Sequence, residues 1–194
     1  MSEMKFDLKR SALVLMDFQP DILKNVEAQL EALLPRVKRA LTAARAAKLP
    51  IFHVRVAFRP GHPEASPNNL GFTMAKSANR LVDGSDGAEI HPELAPFLGE
   101  PIVTKRRVSP FVDTDLPALL RAKDVNHLVM AGVSTSGCIL SSVRLGADLD
   151  YRMTVLADAC ADPDAETHAF LTTKLFPKQA AVVTTEAFVS AIGH

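Results

Sequence analysis

The chain has no tryptophan, one tyrosine, two cysteines and no excess of either charge among its 194 residues. Without tryptophan and with a lone tyrosine, it has no aromatic platform on which the bases of a single-stranded nucleic acid would stack. Lysine plus arginine and aspartate plus glutamate come to 22 each, so no net field draws nucleic acid or an anionic membrane surface. Neither partner is expected, and a small neutral or mixed-charge molecule fits better. Two cysteines do not make a secreted disulfide framework, no apolar run approaches a membrane span, and the start Met1 to Lys5 is unlike a signal peptide. The expected setting is a reducing cytoplasm. There is no internal repeat, and the length suits one domain, 1–194, with a single substantial core.

What is present is an alternation of short apolar runs with helical periodicities. Ser11 to Met16 reads as a buried strand with Asp17 at its tip. Ile22, Val26, Leu30, Leu33, Leu34, Val37, Leu41 and Ala44 then recur at helical spacing, with Pro35 expected to break or kink the helix. Leu49 to Val56 reads as a second strand in which Ile51, His53 and Arg55 define a less apolar face, either shallowly buried or against another subunit. From Arg59 to Pro96 the chain becomes rich in proline, glycine, asparagine and aspartate, a long loop with a short helix around Met74 to Leu81. Loops of this length serve as substrate covers or oligomer contacts. Strands follow at Pro101 to Lys105, Leu128 to Gly132, Tyr151 to Leu156 and Ala180 to Val183. Between them lie a helix from Leu116 to Ala122 capped by Asp113 or Thr114, a helix with Asp162 as cap and Pro163 at its first position running to about Leu175, and a last helix from Thr185. Such alternation implies a doubly wound, three-layer α/β/α sandwich around a six-stranded, mostly parallel sheet of Rossmann-like form.

The stretch from Leu128 to Gly146 draws the most attention. It reads as strand, tight turn and helix, with Cys138 in the first turn of the helix. A thiol there meets unpaired backbone N–H groups and the positive end of the helix dipole, which favour the thiolate and can hold a developing oxyanion. A small buried cysteine packing helix on sheet is the plainer alternative. In doubly wound sheets ligands bind beyond the carboxyl ends of the strands, and Asp17, Lys105 and Cys138 all fall on that rim. With strand order 3-2-1-4-5-6, Asp17 and Cys138 are neighbours, whereas Lys105 starts roughly 10 Å away and needs its full length to reach them. Taken singly, a solvated rim lysine and a helix-capping aspartate are the alternatives.

Leu15-Met-Asp17-Phe-Gln19, Val103-Thr-Lys105 with Ser109-Pro-Phe111, and Gly132-Val-Ser134-Thr-Ser-Gly-Cys138 resemble the three signature blocks of the isochorismatase-like cysteine hydrolases. The resemblance covers nearly the whole chain and extends to Leu156-Ala-Asp158-Ala and Val183-Thr-Thr-Glu186. It implies the isochorismatase-like hydrolase fold, a triad of Asp17, Lys105 and Cys138, a non-proline cis peptide between Val133 and Ser134, and an oxyanion hole from the N–H groups of Ser134 and Cys138. Gln19, Phe111 and Val133 become candidates for the substrate pocket. The implied reaction is hydrolysis of a small amide or carbamoyl C–N bond through a thioester.

Nicotinamidases of this superfamily hold a metal through an Asp-x-His motif, and His53-Val-Arg55 followed by His62 departs from it, so no metal site and no cofactor are expected. Cys160 reads as packing, and His168 as structural. The alternatives kept open are a vinyl-ether-cleaving isochorismatase, which needs no thiol, and a non-catalytic binding or assembly protein on the same fold. The resemblance also suggests a homo-oligomer, dimer or tetramer, with the proline-rich segment and an exposed face of the second strand as candidate surfaces.

Overall fold

The structure, a computed structural model, describes residues 7–193; the amino-terminal segment read above for targeting lies outside them. In chain order the elements are β1 (Ser11–Met16), α1 (Pro20–Leu23), α2 (Leu30–Ala46), β2 (Ile51–Val56), α3 (Leu70–Ser77), β3 (Ile102–Lys105), α4 (Leu116–Ala122), β4 (His127–Val133), α5 (Leu140–Asp148), β5 (Arg152–Ala161), α6 (Ala165–Phe170), β6 (Ala181–Val183) and α7 (Thr185–Ile192). The six strands form one sheet in the order β3-β2-β1-β4-β5-β6, and every pairing is parallel. This is the expected order. No helix among the described residues is long and apolar enough to cross a membrane.

Every residue of β1 and of β4 is buried, as expected for parallel strands covered on both faces. Successive side chains of β1 divide between two cores. Leu13 and Leu15 join Leu33, Val37 and Leu41 of α2 and Phe188 of α7, whereas Ala12, Val14 and Met16 join Leu116 and Leu120 of α4, Val143 of α5 and Phe176. Those two clusters are the interfaces of a three-layer sandwich.

Four expectations change. The first long helix does not break at Pro35, which lies inside α2; the irregularity is at Val26, with φ −130° and ψ 27°. Proline near the start of a helix forfeits little more than one backbone bond, and the buried stripe of Leu33, Leu34, Val37, Ala40, Leu41 and Ala44 outweighs it. The second strand has no exposed face, because His53 is buried against Glu100, and Arg55 is held by Thr104, Asp83 and Glu89. The short helix of the long loop is α3, with its cap at Asn69, several residues before the expected start.

The fourth change concerns β5, which continues past Leu156 to Ala161. Its register against β4 jumps from Met130 opposite Val155 to Gly132 opposite Cys160, so β5 bulges through Leu156 to Ala159. The bulge turns Asp158 toward α7, where Oδ1 accepts from Thr185 N at 2.7 Å and Thr185 Oγ1 at 2.9 Å. Asp162 follows the end of the strand, and the helix starts two residues later than expected, so neither Asp162 as cap nor Pro163 at the first helical position holds. The cap of α6 is Asp164, which accepts from Glu166 N. At the start of α4 the cap position is Asp115, one residue beyond the expected Thr114, whose Oγ1 nevertheless accepts from Leu116 N at 3.2 Å.

Candidate active site

At the carboxyl end of β1 the chain turns sharply. Asp17 has φ 62°, in the left-handed region where a non-glycine residue is uncommon, and its N–H donates to Val54 O on the neighbouring strand. At the end of β4 the peptide bond from Val133 to Ser134 is cis. The next turn, Thr135 to Ile139, is wider than an α-helix, with Ile139 N reaching back to Ser134 O at 3.4 Å, and it leads directly into α5. Cys138 sits in this widened turn, a form of helix common at functional sites. Its Sγ is 3.6 Å from Ser134 O.

Two contacts hold that turn to the end of the sheet. Asp162 Oδ2 accepts from Ser136 N at 2.7 Å, while its Oδ1 accepts from Asp164 N at 3.2 Å. Thr135 Oγ1 lies 2.8 Å from His168 Nδ1, so His168 ties α6 to this turn. Gly132 permits the close approach of β1, β4 and the thiol. A Cβ there would lie 2.8 Å from Met16 O and 3.2 Å from Cys138 Sγ, so a side chain at this position would force the strand or the thiol to shift.

Lys105, at the end of β3, crosses β2 and places Nζ 2.7 Å from Asp17 Oδ2 and 2.6 Å from Val108 O. Both side chains are almost fully buried, at 2% exposure for Lys105 and 8% for Asp17. Asp17 Oδ1 has no hydrogen-bond partner within normal geometry, yet the Cys138 thiol is close enough that carboxylate and thiol perturb one another. Burial raises the carboxyl pKa of Asp17 above its ordinary value, against the opposing charge of Lys105. Burial also pushes the Cys138 thiol well up, reinforced by the Asp17 charge and opposed by Lys105. Desolvation and the adjacent carboxylate thus act against the lowering of the thiol pKa that the helix terminus favours.

Asp17, Lys105, Val133, Ser134 and Cys138 all line one cavity of about 280 Å³ beyond the strand ends. Two pocket candidates do not. Gln19 is fully buried behind the site, its amide bonded to Val56 O, Ala88 O and Val56 N, so it ties the β1 turn to β2 and to the long loop. Phe111 stacks on Tyr151 with ring centroids 5.7 Å apart, within the core under α5. Cys160 is buried beside β4, and desolvation pushes its thiol up to about 12. His53 is a strand residue bonded to Glu100, and His62 a loop residue whose Nε2 meets Arg80 O at 2.7 Å. The long loop also reaches the site, through Gly71, Phe72, Arg80 and Leu81, and Arg107 completes another wall. Sequence gave no signal for Arg80; Arg107 was visible only as one of two arginines after Lys105.

Residues 11–187 match the Isochorismatase domain family, and the chain belongs to that family of hydrolases. Among curated proteins it is 32% identical over 182 residues to the ureidoacrylate amidohydrolase RutB of Yersinia enterocolitica, a match covering 82% of this chain and 79% of that one. Among solved structures, a cysteine hydrolase from Pseudomonas syringae superposes with a TM-score of 0.88 at 23% identity, over 98% of this chain and 95% of that one. An isochorismatase family protein from Burkholderia thailandensis gives 0.83 at 23% identity over the full length of both. At that identity the two structures speak for the fold.

Proposed function

We propose that the chain hydrolyses a C–N bond of a small amide or carbamoyl compound, with Cys138 as nucleophile. The observation that carries this reading is the buried Lys105–Asp17 pair, with the second carboxylate oxygen left free beside the Cys138 thiol in the cavity. The similarity to an amidohydrolase supports the same bond type.

The chemistry follows from charge balance. At rest Lys105 and Asp17 set one cation against one anion beside the thiol. Moving the thiol proton to Asp17 leaves the net charge unchanged: the anion passes to sulfur while Lys105 still offsets it. The high proton affinity of the thiol thus becomes tolerable, because burial has raised that of the acceptor as well. As the proton leaves, Sγ attacks the carbonyl carbon, and the carbonyl oxygen takes the negative charge between the backbone N–H groups of Ser134 and Cys138. Protonated Asp17 gives its proton to the leaving nitrogen, the C–N bond breaks and a thioester remains. Asp17 then takes a proton from water, the hydroxyl adds to the thioester, and collapse expels the sulfur, which recovers its proton. No metal or cofactor enters this scheme.

A small-molecule substrate, a cytoplasmic setting that keeps the thiol free, and assembly as a dimer or tetramer complete the proposal. Ammonia release across a panel of primary amides, N-carbamoyl compounds and ureas tests it. Turnover that disappears in Cys138→Ala, with mass-spectrometric capture of an acyl adduct on Cys138, is expected. A folded protein inert to the whole panel would overturn it.

A further inference from the structure

Both thiols of the chain lie against the same glycine. Regular pairing of β5 with β4 beyond Met130 and Val155 would set Ala157 opposite Gly132, but the bulge sets Cys160 there instead. Side chains alternate along a strand. Cys160 therefore falls on the face that carries Met130, Val143 and Cys138, whereas its neighbours Ala159 and Ala161 fall on the other. The Gly132 N–H donates to the Cys160 sulfur. From the helix side, the widened turn brings Cys138 onto the same residue, with Sγ 3.2 Å from the point where a Cβ of Gly132 would stand. Glycine has no side chain to screen one sulfur from the other, and Cys160 is among the groups that raise the Cys138 pKa.

The two cysteine-bearing segments are also bonded to each other. Asp162, two residues beyond Cys160, accepts from the N–H of Ser136, two residues before Cys138, at 2.7 Å. Adjacent strands lie about 4.8 Å apart, and a disulfide asks for a Cα separation of about 4.4 to 6.8 Å. A residue paired with Gly132 and one seated on Gly132 meet that requirement with a small adjustment of the turn. The hydrolysis proposed above gives the Cys160 thiol no part, and alanine fills positions 157, 159 and 161 around it.

We propose that Cys160 is a resolving thiol for Cys138, and that a hydroperoxide converts the pair into a Cys138–Cys160 disulfide that a small dithiol opens again. With hydrogen peroxide as oxidant, the Cys138 proton passes to Asp17 and Sγ attacks one peroxide oxygen. The O–O bond breaks, and the departing hydroxide takes the proton from Asp17 as water, leaving a sulfenic acid. The Cys160 sulfur then attacks Cys138 Sγ, the S–O bond breaks, and the second hydroxide leaves with the Cys160 proton. Two thiols lose two hydrogens and two electrons, and one peroxide becomes two waters. Because burial raises the proton affinity of both thiols, the first step is slow at neutral pH. The pair thus protects the nucleophile rather than sensing oxidant quickly, since an unresolved sulfenic acid goes on to sulfinic acid, which thiols do not reduce.

Peptide mapping after graded hydrogen peroxide, with free thiols blocked in denaturant, tests this and needs no substrate, so its result is independent of the hydrolase reading. In the wild type, Cys138 and Cys160 peptides of one chain should be found linked, and dithiothreitol should restore both thiols. In Cys160→Ser, dimedone should label Cys138. Sulfinic acid should then accumulate there at least about tenfold more than in the wild type, because a thiol held in place outcompetes a second peroxide from solution. Cys160→Ala should behave as Cys160→Ser does and serves if the serine variant fails to fold in circular dichroism. Equal over-oxidation of Cys138 with and without Cys160 would overturn the proposal. So would disulfides formed only between chains, or two free thiols after prolonged excess peroxide.

Discussion

Lys105 Nζ meets Asp17 Oδ2 at 2.7 Å although the strands that carry them are separated by β2. The lysine spans the neighbouring strand with its whole aliphatic length and delivers its charge to a carboxyl group whose pKa burial raises. Within an enclosed site one cation supports one anion, and the proposed proton transfer only moves that anion between oxygen and sulfur.

Lys105→Met keeps the hydrophobic stem and removes the charge. Asp17 should then take up a proton at neutral pH, since a buried carboxylate without its counter-ion neutralises. The fold should survive in circular dichroism, while kcat falls by about 10²- to 10³-fold, the scale seen when one electrostatic stabiliser is removed. Near-wild-type turnover would remove Lys105 from the mechanism.

Asp162 is a positioning residue, acting on Cys138 through the Ser136 N–H. Asp162→Ala leaves that donor without its acceptor and frees the widened turn, and misplacing a nucleophile by about 1 Å can cost on the order of a hundredfold in rate. We expect kcat to fall with little change in KM, and Asp162→Asn, which keeps an acceptor oxygen, to recover part of it. Equal losses in kcat and in thermal stability for both variants would point to a merely structural role.

How much of this was legible in advance depended on the range of the interaction. Strand order and the meeting of Asp17 with Cys138 followed from alternating apolar runs, because parallel strands buried on both faces leave little freedom. The reach of Lys105 was visible as a length problem that only its side chain could solve. Gln19 and Phe111 were misplaced because motif membership does not say which way a side chain turns: one bonds backbone behind the rim, the other stacks on Tyr151. The bulge in β5 and the left-handed Leu81, which bring Asp162 and Arg80 to the site, depend on tertiary contacts and leave no local periodicity to read.

Acid should weaken the edge of the sheet through Glu100. Burial opposes its charge, but Arg45, Phe97 N–H and His53 hold its carboxyl at about 2. A carboxylate depressed in the folded state contributes stability that is complete above its unfolded value near 4.5 and is lost as pH falls from there toward about 2. Glu100→Gln should therefore lower the melting temperature at pH 7 and reduce the difference between melts at pH 6 and pH 3, on a scale of about 2 kcal/mol. An unchanged acid dependence in urea titrations would dissociate Glu100 from it.

The two cysteines are both buried, at 2% exposure for Cys138 and 6% for Cys160, and each borders a cavity, so they should separate by charge environment rather than by access. Burial raises the proton affinity of both thiols, so intrinsic acidity gives neither a large advantage at pH 7, and alkylation of the folded protein should be slow and accelerate as pH rises. Cys138, however, lines the catalytic cavity with Lys105 close enough to lower the cost of its thiolate, whereas Cys160 is packed in β5 opposite Gly132 with no cation acting on it. Limiting iodoacetamide should therefore modify Cys138 first and remove activity in proportion, and Asp17→Asn should speed that modification by removing the negative charge that disfavours the thiolate. Cys138→Ser should fold normally and be nearly inactive, because an alcohol is far harder than a thiol for a carboxylate to deprotonate. Cys160→Ser should cost packing stability while leaving kcat in place. Peptide mapping that finds Cys160 labelled first, or a Cys138→Ser enzyme that keeps substantial turnover, would rule out the thioester route and leave acid–base cleavage by Asp17 and Lys105 as the working mechanism.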